Sequence, residues 1–171
     1  MDIIVTPRLV LRSPTPADLQ PLHEHILSDA AVMRQAFSGR PMAADESLAF
    51  FQRNFDHGAS GRKLGVLTER ATGDVIGVAG LAPCDVLGEP DYELGFVLRR
   101  SAWGRGYATE IGRGQIQYGI CDLELRRVVA QVSPGNEASI AVLKRIGMQF
   151  RRAIEHSERG ARSVYVMDSP T

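Results

Sequence analysis

From Tyr92 to Thr109 the chain reads Y-E-L-G-F-V-L-R-R-S-A-W-G-R-G-Y-A-T, an apolar run that leads through a small-residue turn into a helical pattern. Leu94, Phe96, Val97 and Leu98 read as a buried strand, and the helix opens near Tyr107. The turn between them holds Trp103, Gly104, Arg105 and Gly106. The first N–H groups of a helix lack intrahelical partners, its dipole is positive there, and glycine lets an anion approach the backbone. This corner therefore has the chemistry to bind a phosphate. Arg99, Arg100 and Arg105 add positive charge around it. The same residues also fit an ordinary strand-to-helix turn with surface arginines, and spacing alone does not separate the two readings.

Other chemistries fit less well. Gly104-x-Gly106, with Glu124 downstream, partly matches a dinucleotide-binding fingerprint, but Thr109 replaces its third glycine. That fold also needs several strand–helix units after the fingerprint, and this chain retains one strand, one helix and a terminal hairpin. No G-x-x-x-x-G-K-[ST] occurs, so a P-loop is absent. Ser101, Ser139 and Cys84 are nucleophile candidates by type, yet none sits in a recognised elbow. His23 and His25 lie on an amphipathic helix, where a structural or solvated role is the ordinary one. Cys84 and Cys121 have no metal-ligand spacing, and their apolar neighbours predict buried thiols in a reducing compartment.

The elements that must position this corner follow from periodicity. Residues 3–12 read as one strand, regular only after Pro7, with Leu9 and Leu11 on one face. Thr15-Pro16-Ala17-Asp18 opens a helix whose inner stripe is Leu19, Leu22, His23 and Ile26. A second helical piece spans 29–36, and a loop with Gly39 and Pro41 spans 37–42. Asp45 is read as the cap of a helix to about residue 57, with Leu48, Phe51 and Phe55 on one face. Residues 63–69 and 75–82 form a hairpin around Ala71-Thr72-Gly73-Asp74.

After a connection over 83–90 come the strand and helix described above, the helix ending near Cys121. Gly112, Gly114 and Gly119 each cost that helix about 1 kcal/mol relative to alanine. Close helix–sheet packing would account for Gly112 and Gly119, and nothing in the sequence accounts for Gly114. Residues 126–132 form a strand with Val128, Ala130 and Val132 on one face and Val129 and Gln131 on the other. Asn136 begins the last helix, which Gly147 ends as a left-handed cap. Residues 150–154 and 163–167 close the chain as a strand pair.

The 171 residues fit a single domain, 1–171, with 44% hydrophobic and 23% charged residues, ordinary values for a water-soluble fold. Twenty basic and twenty acidic residues cancel, which argues against a general grip on nucleic acid. No apolar run approaches the ~20 residues needed to span a bilayer, and the N-terminus lacks a signal pattern. These features predict a cytoplasmic protein with neither a nucleic-acid nor a membrane partner.

Glu93-Leu94-Gly95-Phe96 followed by Trp103-Gly104-Arg105-Gly106-Tyr107-Ala108-Thr109-Glu110 resembles the coenzyme A loop of the GNAT acyl-CoA N-acyltransferases. It is similar above all to the RimJ/RimL branch, the ribosomal-protein N-terminal acetyltransferases. The superfamily loop reads Gln/Arg-x-x-Gly-x-Gly/Ala, and Trp103, Gly106 and Ala108 take those positions. Asn136, Ser139, Leu143 and Gly147-Met148 match the family's N-x-x-S-x-x-x-L-x-x-x-G-F/M helix. The opening Thr6-Pro7-Arg8-Leu9-Val10-Leu11-Arg12 resembles how these proteins begin.

The resemblance implies an α/β (α+β) fold with a mixed, largely antiparallel sheet of six to seven strands and about four helices. It implies acetyl-CoA as cosubstrate, no metal, and a primary amine as acceptor, either a protein N-terminus or a small molecule such as an aminoglycoside, polyamine or amino acid. A homodimer is common in the family. Phe96, Val97 and Leu98 would lie along the acyl-carrying arm, with a backbone N–H near Phe96 as oxyanion donor. The amides of Gly104, Arg105, Gly106, Tyr107, Ala108 and Thr109 would surround the pyrophosphate, and Asn136 would meet the pantetheine. Glu93 matches a carboxylate that serves as general base in the branch; the alternative is a strand-face carboxylate paired with an arginine. The family's tyrosine proton donor is replaced by Leu143. Ser139 then protonates the leaving thiolate through water, or the thiolate leaves unassisted at its pKa of about 8.5. Glu110 reads as a carboxylate stabilised by the helix dipole. Arg34, Phe37 and Arg40 fall where the family borders its acceptor cleft. A non-catalytic acyl-CoA sensor is the rival to all of this.

Overall fold

The computed structural model describes residues 1–170. One sheet of eight strands runs in the order β1-β2-β3-β4-β5-β6-β8-β7. The strands are β1 Asp2–Val5, β2 Leu9–Arg12, β3 Leu64–Glu69, β4 Val75–Cys84, β5 Asp91–Leu98, β6 Arg127–Val132, β7 Gln149–His156 and β8 Gly160–Asp168. Every neighbouring pair is antiparallel except β5 and β6, which run parallel. Five α-helices accompany them: α1 Leu19–Leu22, α2 Ala30–Met33, α3 Ala44–Asn54, α4 Tyr107–Gln117 and α5 Glu137–Arg145. A 3-10 turn over Pro16–Asp18 leads into α1, and a π turn over His23–Leu27 continues it.

The opening segment is a hairpin rather than the one strand expected, and this raises the strand count above six to seven. Val5 pairs with Val10, and the Thr6 N–H donates to the Leu9 carbonyl at 2.9 Å. The Leu9 N–H returns a bond to Thr6 Oγ1 at 3.1 Å. Pro7, with its fixed φ and no N–H, suits this turn better than a strand interior.

Both faces of the sheet are covered. On one, Leu22, Ile26, Met33, Phe51 and Phe55 pack against Val66 of β3 and Val78 of β4. On the other, Tyr107 and Ile111 of α4 cover Leu9, Leu11, Leu67 and Ile76. Leu143 and Ile146 then cover Leu81, Leu94, Val128 and Ala130. Each fully buried side chain of this size contributes about 1.5–3 kcal/mol. That burial, with Asp29 accepting the Ala31 and Val32 N–H groups, sustains a helix as short as α2, which would not persist alone.

Three local expectations are corrected. Helix α3 is capped at Ala43, whose N–H donates to Glu46 at 2.8 Å, and Asp45 lies inside its first turn. Its buried side chains are Ser47 and Phe51, four residues apart, with Phe55 buried just past its end, and this turns Leu48 outward at 42% exposure. Gly112 makes room for Ile146 beyond the end of α5 rather than for the sheet, with an added Cβ only 3.0 Å from its Cδ1. Gly114 now has a reason: a Cβ there would lie 3.0 Å from Ile4 on edge strand β1.

Candidate active site

The site grows from a split in the sheet. Strand β5 pairs with β4 along its whole length, from Asp91↔Cys84 to Leu98↔Gly77. With β6 it keeps a single register pair, Glu93↔Val129. Beyond Glu93 the two strands diverge, and a cavity of about 590 Å³ occupies the gap. Gly95, Phe96 and Val97 form one wall, Ala130 to Ser133 the other, and Asn136, Ser139 and Leu143 close one end. Gln115, fully buried on α4, ties the β5 wall of this gap to its neighbour: its Nε2 donates to the Gly95 carbonyl at 2.9 Å and to the Gly80 carbonyl of β4 at 2.8 Å. This amide braces β5 against β4, and periodicity gave it no distinction from its apolar neighbours.

At the far end of β5 lies the glycine corner. Gly104 and Gly106 hold φ of +72° and +78°, a left-handed geometry costly for other residues. Trp103, 50% exposed, does not pack in the core; its Nε1 donates to the Leu98 carbonyl at 2.8 Å and ties the turn to the strand. Among the described residues, no acceptor meets the backbone N–H groups of residues 104–109. These six amides lie in and just before the first turn of α4, at its positive end, with open space where a Gly104 side chain would be. That cradle fits a pyrophosphate.

The arginines around this corner differ from those the sequence suggested. Arg99 donates to the Val75 carbonyl at 3.0 Å and Arg100 to Asp29 at 2.8 Å, so both turn elsewhere. Arg105 stays, 4.7 Å above the Tyr107 ring and 2.9 Å from Glu69. Arg8 joins it on the ring at 4.6 Å, bonds the Arg105 carbonyl at 2.9 Å and pairs with Glu110 at 2.6 Å. Arg145 donates to the Thr109 hydroxyl at 3.3 Å. Neither Arg8 nor Arg145 was assigned a site role from spacing, because each reaches the corner from a distant element. The Tyr107 hydroxyl bonds Glu69; this bond, with the Arg105 charge, holds the Glu69 carboxyl below its ordinary range. Burial alone would raise Glu110, yet the bonds from Thr6 and Arg8 hold it low. The Glu110 carboxylate therefore clamps the β1–β2 turn to α4, besides sitting in the helix's first turn.

Across the split, Glu93 accepts a bond from Gln131 Nε2 at 2.8 Å, and Arg159 Nη1 stands 3.5 Å from its other oxygen. Phe37, Met42 and Phe50 add an apolar wall, the two rings 4.7 Å apart. Phe37 holds φ of +49°, a strained conformation for a bulky residue. Arg34 and Arg40 do not line the cavity, and Arg40 pairs with Glu46 at 2.7 Å. Asn136 Oδ1 caps α5 by accepting the Ser139 N–H at 3.2 Å. Ser139 and Leu143 both face the cavity.

The remaining candidates fall away from the chemistry. His23 Nδ1 bonds Ser47 Oγ at 2.8 Å, and His25 is exposed. Cys121 is exposed rather than buried, because the π turn after α4 carries it outward. Cys84 is half-buried, and burial with the nearby Glu93 charge pushes its thiol up to about 11, unsuited to a thiolate nucleophile. Among the described residues, no helix is long and apolar enough to cross a membrane.

This architecture has relatives. A model of the family described as acetyltransferase (GNAT) domain matches residues 8–149. The chain is 31% identical over 146 residues to the uncharacterized N-acetyltransferase YnaD of Bacillus subtilis, covering 85% of this chain and 82% of that protein. Among solved structures, the acetyl transfer enzyme of Salmonella typhimurium that modifies the N-terminal serine of ribosomal protein L7/L12 aligns with a TM-score of 0.81 at 18% identity, over 99% of this chain and 100% of that one. Spermidine N-acetyltransferase from Vibrio cholerae, in complex with CoA and spermine, aligns with a TM-score of 0.76 at 14% identity, over 94% and 95%. Both structural likenesses are likenesses of fold.

Proposed function

The chain belongs to the GNAT family of acyl-CoA-dependent N-acetyltransferases, and on that premise we propose that it moves an acetyl group from acetyl-CoA directly to a primary amine in a ternary complex. One observation carries this reading. The cavity passes through the split, with Glu93 on one side and α5 on the other, and β5 leads from it to the glycine corner. In this reading the amides of residues 104–109 hold the pyrophosphate, and Phe96, Val97 and Leu98 guide the arm toward the split. Asn136 uses Oδ1 on its own helix, which leaves its Nδ2 to meet the pantetheine. Trp103 acts indirectly, by fixing the turn to Leu98.

The amine must be neutral to attack. Glu93, at the mouth of the split, takes the ammonium proton directly or through water. An α-amine at a peptide terminus, with a pKa of about 7.7–8.0, needs less help from a single carboxylate than a lysine at about 10.4. Leu143 offers no proton to the departing thiolate. Ser139 supplies it through water, or the thiolate leaves unassisted.

An acceptor screen that follows free thiol release tests the proposal. A primary amine should release thiol well above the hydrolytic background. Tight CoA binding without turnover of any amine would instead favour a non-catalytic sensor, the reading that Leu143 at the proton-donor position supports.

A further inference from the structure

We propose that the acceptor amine carries a carboxylate one or two carbons from its nitrogen, held by Arg159 and Arg162. The inference rests on the acetyl-transfer reading above and narrows its substrate class.

Both arginines line the acceptor side of the cavity, one from the β7–β8 turn and one from the start of β8. Arg162 donates through Nη1 to the neighbouring Ala161 carbonyl at 3.0 Å, but its Nε is buried and has no acceptor among the described residues. A buried, unpaired donor on a charged group is costly unless a ligand meets it. Arg159 is hardly better served. Its contact with Glu93 is 3.5 Å long, at the limit of a hydrogen bond, while the other Glu93 oxygen is bonded to Gln131. The Gln131 Oε1 is likewise buried without a donor among the described residues.

The charge balance points the same way. Among the described residues, Glu93 is the only partly buried carboxylate that lines this cavity with the two guanidinium groups, and Glu158 lies exposed at its rim. Burial, followed by the Arg159 charge, shifts Arg162 below its ordinary value. An incoming carboxylate would relieve both, and a guanidinium fork matches its two oxygens. A polyamine would meet repulsion here instead.

Distance sets the spacer. Arg159 Nη1 lies only 3.5 Å from Glu93 Oε1, so a ligand's cation on Glu93 and its anion on the arginines must be close neighbours. An α-amino acid satisfies this, with its side chain against Phe37, Met42 and Phe50. A peptide N-terminus lacks the free carboxylate at that distance.

The test uses the full chain, acetyl-CoA and a matched panel: L-phenylalanine, phenylalaninamide, phenethylamine, 2-phenyl-1-aminoethylphosphonate and spermidine. L-Phenylalanine should show kcat/KM at least tenfold above phenylalaninamide, phenethylamine and spermidine. The phosphonate arm asks whether any acidic group serves, and activity equal to that of the carboxylate would widen the class to anions in general, overturning the carboxylate assignment. Arg162→Gln should raise the KM for L-phenylalanine about tenfold or more and shrink its advantage over phenethylamine. Calorimetry of L-phenylalanine into the CoA complex keeps the test independent of turnover. Binding that weakens in Arg162→Gln supports the anion site even if transfer fails. Equal or better use of phenylalaninamide or spermidine, or no effect of Arg162→Gln on either readout, overturns the proposal.

Discussion

The donor corner, beyond the end of β5, and the acceptor cleft, at the split, are built from different materials. The corner is backbone: two glycines at positive φ and six unbonded amides, all within residues 104–109. The cleft is side chains: Phe37 and Phe50 from the helical half, Glu93 from β5, Gln131 from β6 and Arg159 from the last hairpin. A site made of contiguous backbone can bind one invariant ligand and be written in a short motif. A site assembled from five elements can change its acceptor one side chain at a time. The split between β5 and β6 joins the two, so chemistry and cofactor binding should be separable by mutation.

The largest effect expected from that separation is at Glu93. Glu93→Gln keeps the shape of the carboxyl and removes its basicity, so turnover should fall by about 10²–10⁴ while CoA affinity barely changes. The loss should shrink as pH rises and more amine is already neutral; a pH–rate comparison with one verified acceptor checks this. A variant that loses melting temperature but keeps its turnover per folded molecule would make Glu93 a structural ion-pair member. At the other end, Gly106→Val should weaken CoA binding at least tenfold in a folded protein. A β-branched residue disfavours φ of +78° and crowds Arg8, whose Nη2 is 3.4 Å from the site of the new Cβ. In the parent, CoA at 100 times its Kd should raise Tm by about 5–11 °C, and the variant should show less.

Gln115→Leu sharpens the comparison because it touches the brace between β4 and β5 and no proposed ligand contact. It removes the bonds to the Gly80 and Gly95 carbonyls, a cost of about 0.5–1.5 kcal/mol each, visible as a lower Tm. The KM for acetyl-CoA should rise with it, since β5 is less firmly held. The smallest effect on either region is expected at Asp18, on the scaffold. Arg12 bonds it at 2.7 and 2.8 Å, and the Thr15 N–H donates to it at 2.6 Å. Burial alone would raise its carboxyl, and these bonds hold it below the usual value near 3.8. A depressed folded-state value means stability that is present at neutral pH and is lost as pH falls below about 4 through it. Asp18→Asn should lower Tm at pH 7, flatten that acid limb, and leave kcat and KM alone.

The difference between the two regions also explains what could be read in advance. Alternating Val128, Ala130 and Val132 had to face a core, and they lie under α5. Gly104 and Gly106 announce a turn because few other residues tolerate that φ. Glu93, by contrast, drew attention through family likeness, since one acidic residue on a strand has several uses. Arg8, Arg145 and Gln115 carry no local signal at all: their roles come from elements brought together only by the fold. The hairpin at Pro7 was hidden because apolar runs, Ile3-Ile4-Val5 and Leu9-Val10-Leu11, stand on both sides of a break of only three residues, which reads as one interrupted strand. Gly114 needed the position of edge strand β1 before its missing side chain made sense.

Direct transfer across the split is the central claim, and bisubstrate initial-rate kinetics test it most directly. With acetyl-CoA and an accepted amine varied together, the reciprocal plots should intersect, because both ligands must be present before the acetyl group moves. Parallel lines, together with an acetylated enzyme isolated in the absence of amine, would contradict it.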